Sequence, residues 1–366
     1  MFIILCSVRP LLVLELKDNI GREAEHLACL LSMIEYRPEG VSIMQHYRQF
    51  IIFALVCVLL SVSVGCAHQE AVVSLVEPAS LAAEESAFVT IDGITIHWES
   101  AGEDLSTTPL ILLHGFAANT GSWMFLMPPL SESYPVYAYD RIPFGLSQRY
   151  LSEEFDRETS PYRSEAIIER AFSLLDTWGI DEAVLVGSSA GGTLALQMAL
   201  ADPHRIKALI LIDPAVYSGG GSGFIRFLLR SKVFRGIALN SIRGLREEPD
   251  KLLEDSWYDP SGYPEALKDA YIRATGVANW DRALLEFTRA SGKLDLKDRL
   301  KDISQRVLLI HGRQDSIIDV KESIRLAEAL PSVEFHIIEE SGHLPHEEKP
   351  DETFALIDEF MKSLEP

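Results

Sequence analysis

The sequence predicts an α/β fold: a mostly parallel sheet of eight strands, helices on both faces, and a helical cap inserted late in the chain. Three observations carry that prediction. From about residue 87, short continuous apolar runs alternate with helical patterns, the pattern of strands buried on both faces beneath covering helices. The alternation stops between residues 217 and 298 and resumes at Arg306, so the interruption is an insertion and not a separate downstream domain. One apolar run also ends in Gly187-Ser188-Ser189-Ala190-Gly191 and leads directly into a helical pattern.

The elements follow in order. Phe88-Val89-Thr90-Ile91 and Ile94-Thr95-Ile96-His97-Trp98 flank Asp92-Gly93, a hairpin turn. Leu110-Ile111-Leu112-Leu113 is a buried strand leading into His114-Gly115, and Val136-Tyr137-Ala138-Tyr139 is another, ending at Asp140. Residues 163 to 178 set Ala166, Ile167, Ala171, Leu174 and Leu175 at helical spacing. The strand Ala183-Val184-Leu185-Val186 precedes the Gly-Ser-Ser-Ala-Gly turn, and Ala208-Leu209-Ile210-Leu211-Ile212 follows the next helix. Residues 217 to 298 open on Gly219-Gly220-Gly221 and carry helical patterns without strand runs. Arg306–Ile310 and Val333–Ile338 are the last strands. The core therefore comprises residues 87–216 and 299–366, with the cap at 217–298.

Composition narrows the function. With 366 residues and 47% hydrophobic content, a large core is expected. Against 33 basic residues stand 54 acidic ones, a net charge of -21. That balance argues against nucleic-acid binding and disfavours polyanionic substrates. Cys6, Cys29, Cys57 and Cys66 all precede the core. The core thus has no disulfide, zinc–thiolate site or cysteine nucleophile of its own, and nothing indicates a metal or organic cofactor.

Residues 50–60 form an uncharged apolar run after Arg48, followed by small residues up to Gly65-Cys66-Ala67. A basic start, a short apolar stretch and small residues at a cut site make a secretory signal. The run is short beside the about 20 residues of a membrane span. Gly65-Cys66 resembles the lipobox of bacterial lipoproteins, whose cysteine is lipidated after cleavage; Ser63 stands where that family usually has a larger aliphatic. The expectation is an exported protein held to a bacterial membrane through Cys66, with ordinary cleavage or an uncleaved anchor as alternatives. On this reading residues 1–43 are an upstream extension before a start at Met44, residues 44–65 the signal and residues 66–86 a tether.

The chemistry is carried by Ser189. A G-x-S-x-G serine between strand and helix is a nucleophile elbow, which exposes the hydroxyl at the open end of a sheet. Gly187 and Gly191 let the turn close, because a Cβ would clash there. An acid and then a histidine should follow in the chain. Asp315 follows just after the strand at Arg306–Ile310, and His343 after the strand at Val333–Ile338. Both lie past the C-terminal ends of strands, where side chains converge in a parallel sheet.

From about residue 87 onward the chain resembles the α/β-hydrolase fold family. The motifs are His114-Gly115-Phe116, the segment from Asp140 to Ser147 (with Pro143 in place of the usual first glycine), the elbow, and the Gly312-to-Asp315 and Gly342-His343 pair. The resemblance implies a triad of Ser189, His343 and Asp315. It also implies an oxyanion hole from the backbone N–H groups of Phe116 and Ala190. Serine at the elbow argues against haloalkane dehalogenases and epoxide hydrolases, which carry aspartate there. The expected substrate is a small carboxylic ester, with Phe224, Phe227, Leu228, Leu229 and Phe234 of the cap favouring an apolar acyl or aromatic group. Two alternatives stand beside it: a C–C bond hydrolase of the ring-cleavage-product type, and a non-catalytic lipid-anchored binding protein on the same fold. Many such C–C hydrolases have a tryptophan soon after the histidine, where this chain has Leu344-Pro345-His346.

Other residues compete for roles. Asp213 is a rival acid. His346 reads as structural or rim, His114 as loop-shaping, Ser188 as packing and Asp140 as a loop organiser. Trp123, Phe125, Trp257 and Trp280 are read as core packing, with an acyl-pocket lining as the alternative.

Overall fold

A computed structural model describes residues 76–83, 86–102, 106–151, 159–217, 228–229, 231–247, 250–290 and 296–364. The expected signal, Cys66 and the upstream extension lie outside the described residues, as do Phe224 and Phe227. Among the described residues no helix is long and apolar enough to cross a membrane.

Strands β1 (Ala87–Ile91) and β2 (Ile94–Ala101) form the hairpin that Asp92-Gly93 announces, with Ile91 paired to Ile94. Then come β3 (Leu110–Leu113), the short helix α1 (Met127–Ser131), β4 (Val136–Tyr139), α2 (Ser164–Thr177), β5 (Ala183–Ser188), α3 (Ala190–Ala201) and β6 (Ile206–Ile212). Four helices interrupt the alternation: α4 (Lys232–Glu247), α5 (Asp250–Ser256), α6 (Glu265–Thr275) and α7 (Trp280–Ala290). The chain closes with β7 (Arg306–Gly312), α8 (Val320–Ala329), β8 (Val333–Ile338), α9 (Pro345–Glu348) and α10 (Pro350–Leu364). The sheet has eight strands in the order β1-β2-β4-β3-β5-β6-β7-β8. The β1–β2 and β2–β4 pairs are antiparallel and every other pair is parallel. This is the α/β-hydrolase fold.

Alternation along each strand divides the core in two, because successive side chains point to opposite faces. Ile111, Leu113, Leu185, Leu209, Leu211 and Leu309 pack on one face with residues of α2 and α3. Leu110, Leu112, Val184, Val186, Ile210 and Leu308 pack on the other with Ile357, Phe360 and Met361 of α10. Each such side chain, fully buried, contributes about 1.5–3 kcal/mol. Helix α3 is buried around most of its circumference, as expected of a helix that is apolar all round. Helix α2 instead buries one stripe, including Ala171, Leu174 and Leu175.

The cap has its own apolar contacts. Leu229, Ile242, Trp280, Leu284 and Leu285 cluster with Phe144 of the core. A second cluster joins Leu253, Trp257, Leu267 and Tyr271 to Ala118 and Leu344. The end of the expected tether is not free chain: Val76 forms a parallel bridge with Val277 after α6, because its exposed backbone groups meet the Gly276 carbonyl and the Ala278 N–H, both at 3.2 Å.

Candidate active site

All the residues singled out for chemistry lie past the C-terminal ends of parallel strands. Ser189 is the residue between β5 and α3. Its φ is 51° and ψ -115°, a strained region for a side chain other than glycine. The strain is held by backbone bonds on both sides. Ser189 N–H donates to the Ile212 carbonyl at 2.8 Å, and its own carbonyl accepts from Thr193 and Ala215 at 3.3 and 3.1 Å. The flanking glycines are steric necessities. A Cβ on Gly191 would lie 1.9 Å from the Leu113 carbonyl oxygen, and one on Gly187 would lie 2.6 Å from the Gly191 backbone.

Asp315 and His343 come together because their loops do. A Cβ on Gly312 would lie 1.9 Å from the Gly342 carbonyl oxygen, so only two bare backbones can approach so closely. His343 Nδ1 donates to Asp315 Oδ2 at 2.7 Å. Asp315 Oδ1 accepts from Ile317 and Ile318 N–H at 2.7 and 2.9 Å. Burial opposes ionisation of Asp315, but these hydrogen bonds and the facing imidazole outweigh it and hold the carboxyl below its ordinary range. The cap braces both loops. His343 N–H donates to the Ser256 carbonyl at 2.6 Å, and Ser316 Oγ to the Asp255 carbonyl at 2.8 Å, both at the end of α5. The structure thus joins His343 to Asp315. Ser189 Oγ makes no hydrogen bond among the described residues.

The β3 loop faces the elbow. A Cβ on Gly115 would be 3.4 Å from Ser189 Cβ, which places Phe116 at the serine. Among the described residues no acceptor takes the N–H of Phe116 or of Ala190, the first residue of α3. His114 shapes this loop. It is fully buried, its Nδ1 donates to the Gly115 carbonyl at 2.8 Å, and its Nε2 accepts from Arg141 N–H at 3.0 Å. Burial and the Arg141 charge push its pKa down to about 3, so it stays neutral. Arg141 is a contributor that sequence reading missed. Buried, with its pKa drawn down to about 10 by desolvation, it donates from Nη2 to the carbonyls of His114 and Gly115.

Phe116 is 40% exposed, a large apolar side chain open to a ligand. Its ring lies 5.5 Å from Phe144 and 6.2 Å from Phe287 of α7, and those two lie 5.2 Å apart. Three loops or helices distant in sequence so build one aromatic corner beside the serine. The tryptophans do not join it. Trp123 is buried in the core against Leu110 and Leu112 and 4.7 Å from the His346 ring, Trp257 donates to Glu347, and Trp280 packs within the cap. Phe125 packs beside Trp257.

His346 is structural, as its lack of a preceding glycine suggests. Its Nε2 lies 3.0 Å from Ser122 Oγ, in a buried cluster where Ser122, Tyr271 and Trp257 all donate to Glu347. Burial pushes Glu347 up to about 7 and His346 down to about 3. The cluster stitches cap to core, since Tyr271 and Trp257 belong to the cap. Ser188 is fully buried with no partner for Oγ among the described residues. One atom each from Asp213, Asp315 and His343 lies within 4.8 Å of the others, a spacing that could suit a metal ion. Asp315 already accepts three hydrogen bonds, from His343 Nδ1 and from two backbone N–H groups, so the set fits proton handling better than metal ligation.

Comparison with known proteins agrees with this architecture. Residues 108–350 match the family described as alpha/beta hydrolase fold. An uncharacterized hydrolase of Bacillus subtilis, YugF, is 28% identical over 75% of this chain and 96% of its own length. A 2-hydroxymuconate semialdehyde hydrolase of a Pseudomonas species is 25% identical over 69% of this chain and 86% of its own. Among solved structures, a thermophilic esterase from Thermogutta terrifontis superposes with a TM-score of 0.62 at 22% identity, covering 77% of this chain and 99% of the esterase.

Proposed function

This chain belongs to the alpha/beta hydrolase fold family, and from that premise we propose that it is a serine hydrolase that cleaves a carboxylic ester with an apolar acyl or aromatic group. The observation that carries the reading is Ser189 in its strained elbow, with unengaged N–H groups at Ala190 and Phe116 and with the His343–Asp315 pair on neighbouring strand ends.

A serine hydroxyl is a weak nucleophile at its free pKa, so His343 Nε2 takes its proton as Oγ attacks the ester carbonyl. Asp315 fixes the imidazole with Nδ1–H toward itself and stabilises the imidazolium that forms. The carbonyl oxygen gains charge and is met by the N–H groups of Phe116 and Ala190, each worth about 3 kcal/mol in the transition state. His343 returns the proton to the leaving alkoxide and the ester bond breaks. Water then attacks the acyl-enzyme, giving a proton to His343 and its oxygen to the acid, and His343 returns that proton to Ser189 Oγ as the Oγ–acyl bond breaks. The aromatic corner of Phe116, Phe144 and Phe287 supports an apolar group beside the reacting carbonyl.

A C–C bond hydrolase reading is supported by the similarity to 2-hydroxymuconate semialdehyde hydrolase. The two readings share the serine and part on substrate. Incubation with a fluorophosphonate probe is expected to label Ser189, and Ser189→Ala to abolish labelling. Folded wild-type protein left unlabelled would refute the nucleophile. Hydrolysis of p-nitrophenyl esters, rising with acyl length, supports the esterase. Turnover of ring-cleavage products with ester turnover far lower would transfer the assignment.

A further inference from the structure

Two carboxyl groups, not one, stand behind His343. Asp213 is the residue after β6, fully buried, with φ 44°, a left-handed conformation that Asp and Asn tolerate better than most residues. One carboxyl oxygen from each aspartate and a ring nitrogen of His343 all lie within 4.8 Å of one another. The surroundings of Asp213 are poor for a charge. Its Oδ1 accepts one N–H, from Gly312 at 3.0 Å. Among the described residues no donor reaches its Oδ2.

His311 adds to the conflict. Its Nε2–H donates to the Ile318 carbonyl at 3.1 Å, which leaves Nδ1 a lone pair, and Ser323 Oγ donates to that lone pair at 2.8 Å. The same Nδ1 lies 3.2 Å from Asp213 Oδ1. With both aspartates ionised, two carboxylates and an imidazole lone pair would face one another in a buried space. Two like charges so placed cannot both ionise at ordinary cost. One proton removes the repulsion between the two carboxylates, and Asp315 is the wrong place for it, since three N–H donors favour its charged form.

We propose that Asp213 is a neutral carboxylic acid that donates its proton in a hydrogen bond to Asp315, and that it is thereby a positioning residue for the His343–Asp315 pair. Burial first, and then the neighbouring Asp315 charge, push Asp213 well above the ordinary carboxylate range, and the more distant Glu348 acts in the same direction. The charged and titratable groups around it are Asp315, His311, His343 and Glu348. The donated hydrogen bond draws charge from Asp315, so His343 is less basic than it would be before a lone carboxylate. The inference rests on the triad reading above for its catalytic consequence, but not for its protonation state.

The experiment separates the two. Infrared difference spectra of the full-length protein near neutral pH, wild type against Asp213→Asn, are expected to show the carbonyl band of a protonated carboxylic acid that the variant lacks. Asn is the informative substitute. It offers an uncharged N–H to Asp315, keeps an acceptor for Gly312 and tolerates the left-handed backbone. It is expected to keep the fluorophosphonate labelling rate within about threefold and to leave the acid limb of the pH profile in place. Asp213→Gly fits the backbone but supplies no donor. It is expected to lose about tenfold in rate and to move the acid limb to higher pH. No acid band in folded wild type, or an Asn variant as impaired as the Gly variant, overturns the proposal. The infrared measurement needs no substrate, so it decides the matter even if Ser189 never labels or the Gly variant fails to fold.

Discussion

Among the described residues, two of the serine–histidine–aspartate sets invite comparison, one at the elbow and one away from it, and by side-chain hydrogen bonds the second is the better formed. On the antiparallel edge of the sheet, Ser86 Oγ lies 2.9 Å from His97 Nε2, and His97 Nδ1 lies 2.7 Å from Asp140 Oδ2. At the strand ends, His343 and Asp315 repeat the 2.7 Å contact, while Ser189 Oγ has no hydrogen bond among the described residues. The backbone separates them. Ser189 is held at φ 51° before a buried helix, with N–H donors free beside it. Ser86 enters a strand, and its Oγ accepts the Ala83 N–H at 3.2 Å. The acids differ as well. Asp140 also takes the N–H groups of Thr120 and Leu146 at 2.7 and 2.6 Å and so ties three loops together. The same three residue types therefore make a structural brace in one place and a candidate reaction centre in the other. What distinguishes them is whether the site stabilises an oxyanion.

The comparison breaks first at the acids. Asp315→Asn is expected to lower the rate of ester hydrolysis or probe labelling by on the order of 10³- to 10⁴-fold. Asn can keep the contact with His343 but favours the tautomer that leaves Nε2 unable to accept the serine proton. Unfolding curves of this variant should stay close to wild type. A rate within tenfold of wild type would remove Asp315 from the triad.

At the other acid the effect should fall on stability. Asp140→Asn presents an N–H to one of the backbone donors that the carboxylate accepted, and is expected to cost about 2–4 kcal/mol. The pH dependence carries a sign. Burial opposes the charged form of Asp140, but His97 outweighs it and holds the carboxyl low; burial likewise opposes protonated His97, but Asp140 outweighs it and raises the imidazole. The Asp140 contribution is present above the ordinary carboxylate range and lost as pH falls through its lowered value. The His97 contribution is full below the ordinary histidine value and lost as pH rises through its raised one. The pair thus stabilises most between about pH 4 and pH 6.5. Urea unfolding across pH should show the gap between wild type and variant widest in that window. A gap that does not vary with pH would mean the pair is not ionised.

What could be read from sequence follows the same line. The elbow was legible because it is local: five consecutive residues, with a strand before and a helix after, fix Ser189. Asp315 and His343 were legible because chain order and strand ends are one-dimensional facts. The Asp92-Gly93 hairpin and the cap between β6 and β7 were legible for similar reasons. The aromatic corner was not, since Phe116, Phe144 and Phe287 meet only when three separate segments fold together. Nor was the Glu347 cluster, whose donors Ser122, Trp257 and Tyr271 stand 225, 90 and 76 positions away. The tryptophans read as core packing do pack the core and the cap, because their large apolar faces find partners there. Asp213 was legible as an acid near the site, but its state depends on His311 and Gly312, which pattern alone does not place beside it.

The smallest expected effect is at Ser86, and it tests the distinction most sharply. If a serine near a histidine–aspartate pair were sufficient for reactivity, Ser86 would carry some of the probe labelling, and Ser189→Ala would leave a remnant that Ser86→Ala removes. The structure argues otherwise. Among the described residues no helix begins at Ser86 to receive the charge that attack from it would develop, and the proton it gave up would enter a pair whose imidazole is already biased toward its charged form. A histidine so biased is a poor general base, since its affinity for a proton is satisfied before the reaction begins. Ser86→Ala deletes only a part-buried hydrogen bond to His97 and one to Ala83. It should change labelling and ester turnover by less than about twofold and stability by about 0.5–1.5 kcal/mol. Residual labelling in Ser189→Ala that maps to Ser86 by mass spectrometry would show that the strained backbone and its oxyanion donors are dispensable, and would dissolve the distinction between the two sets.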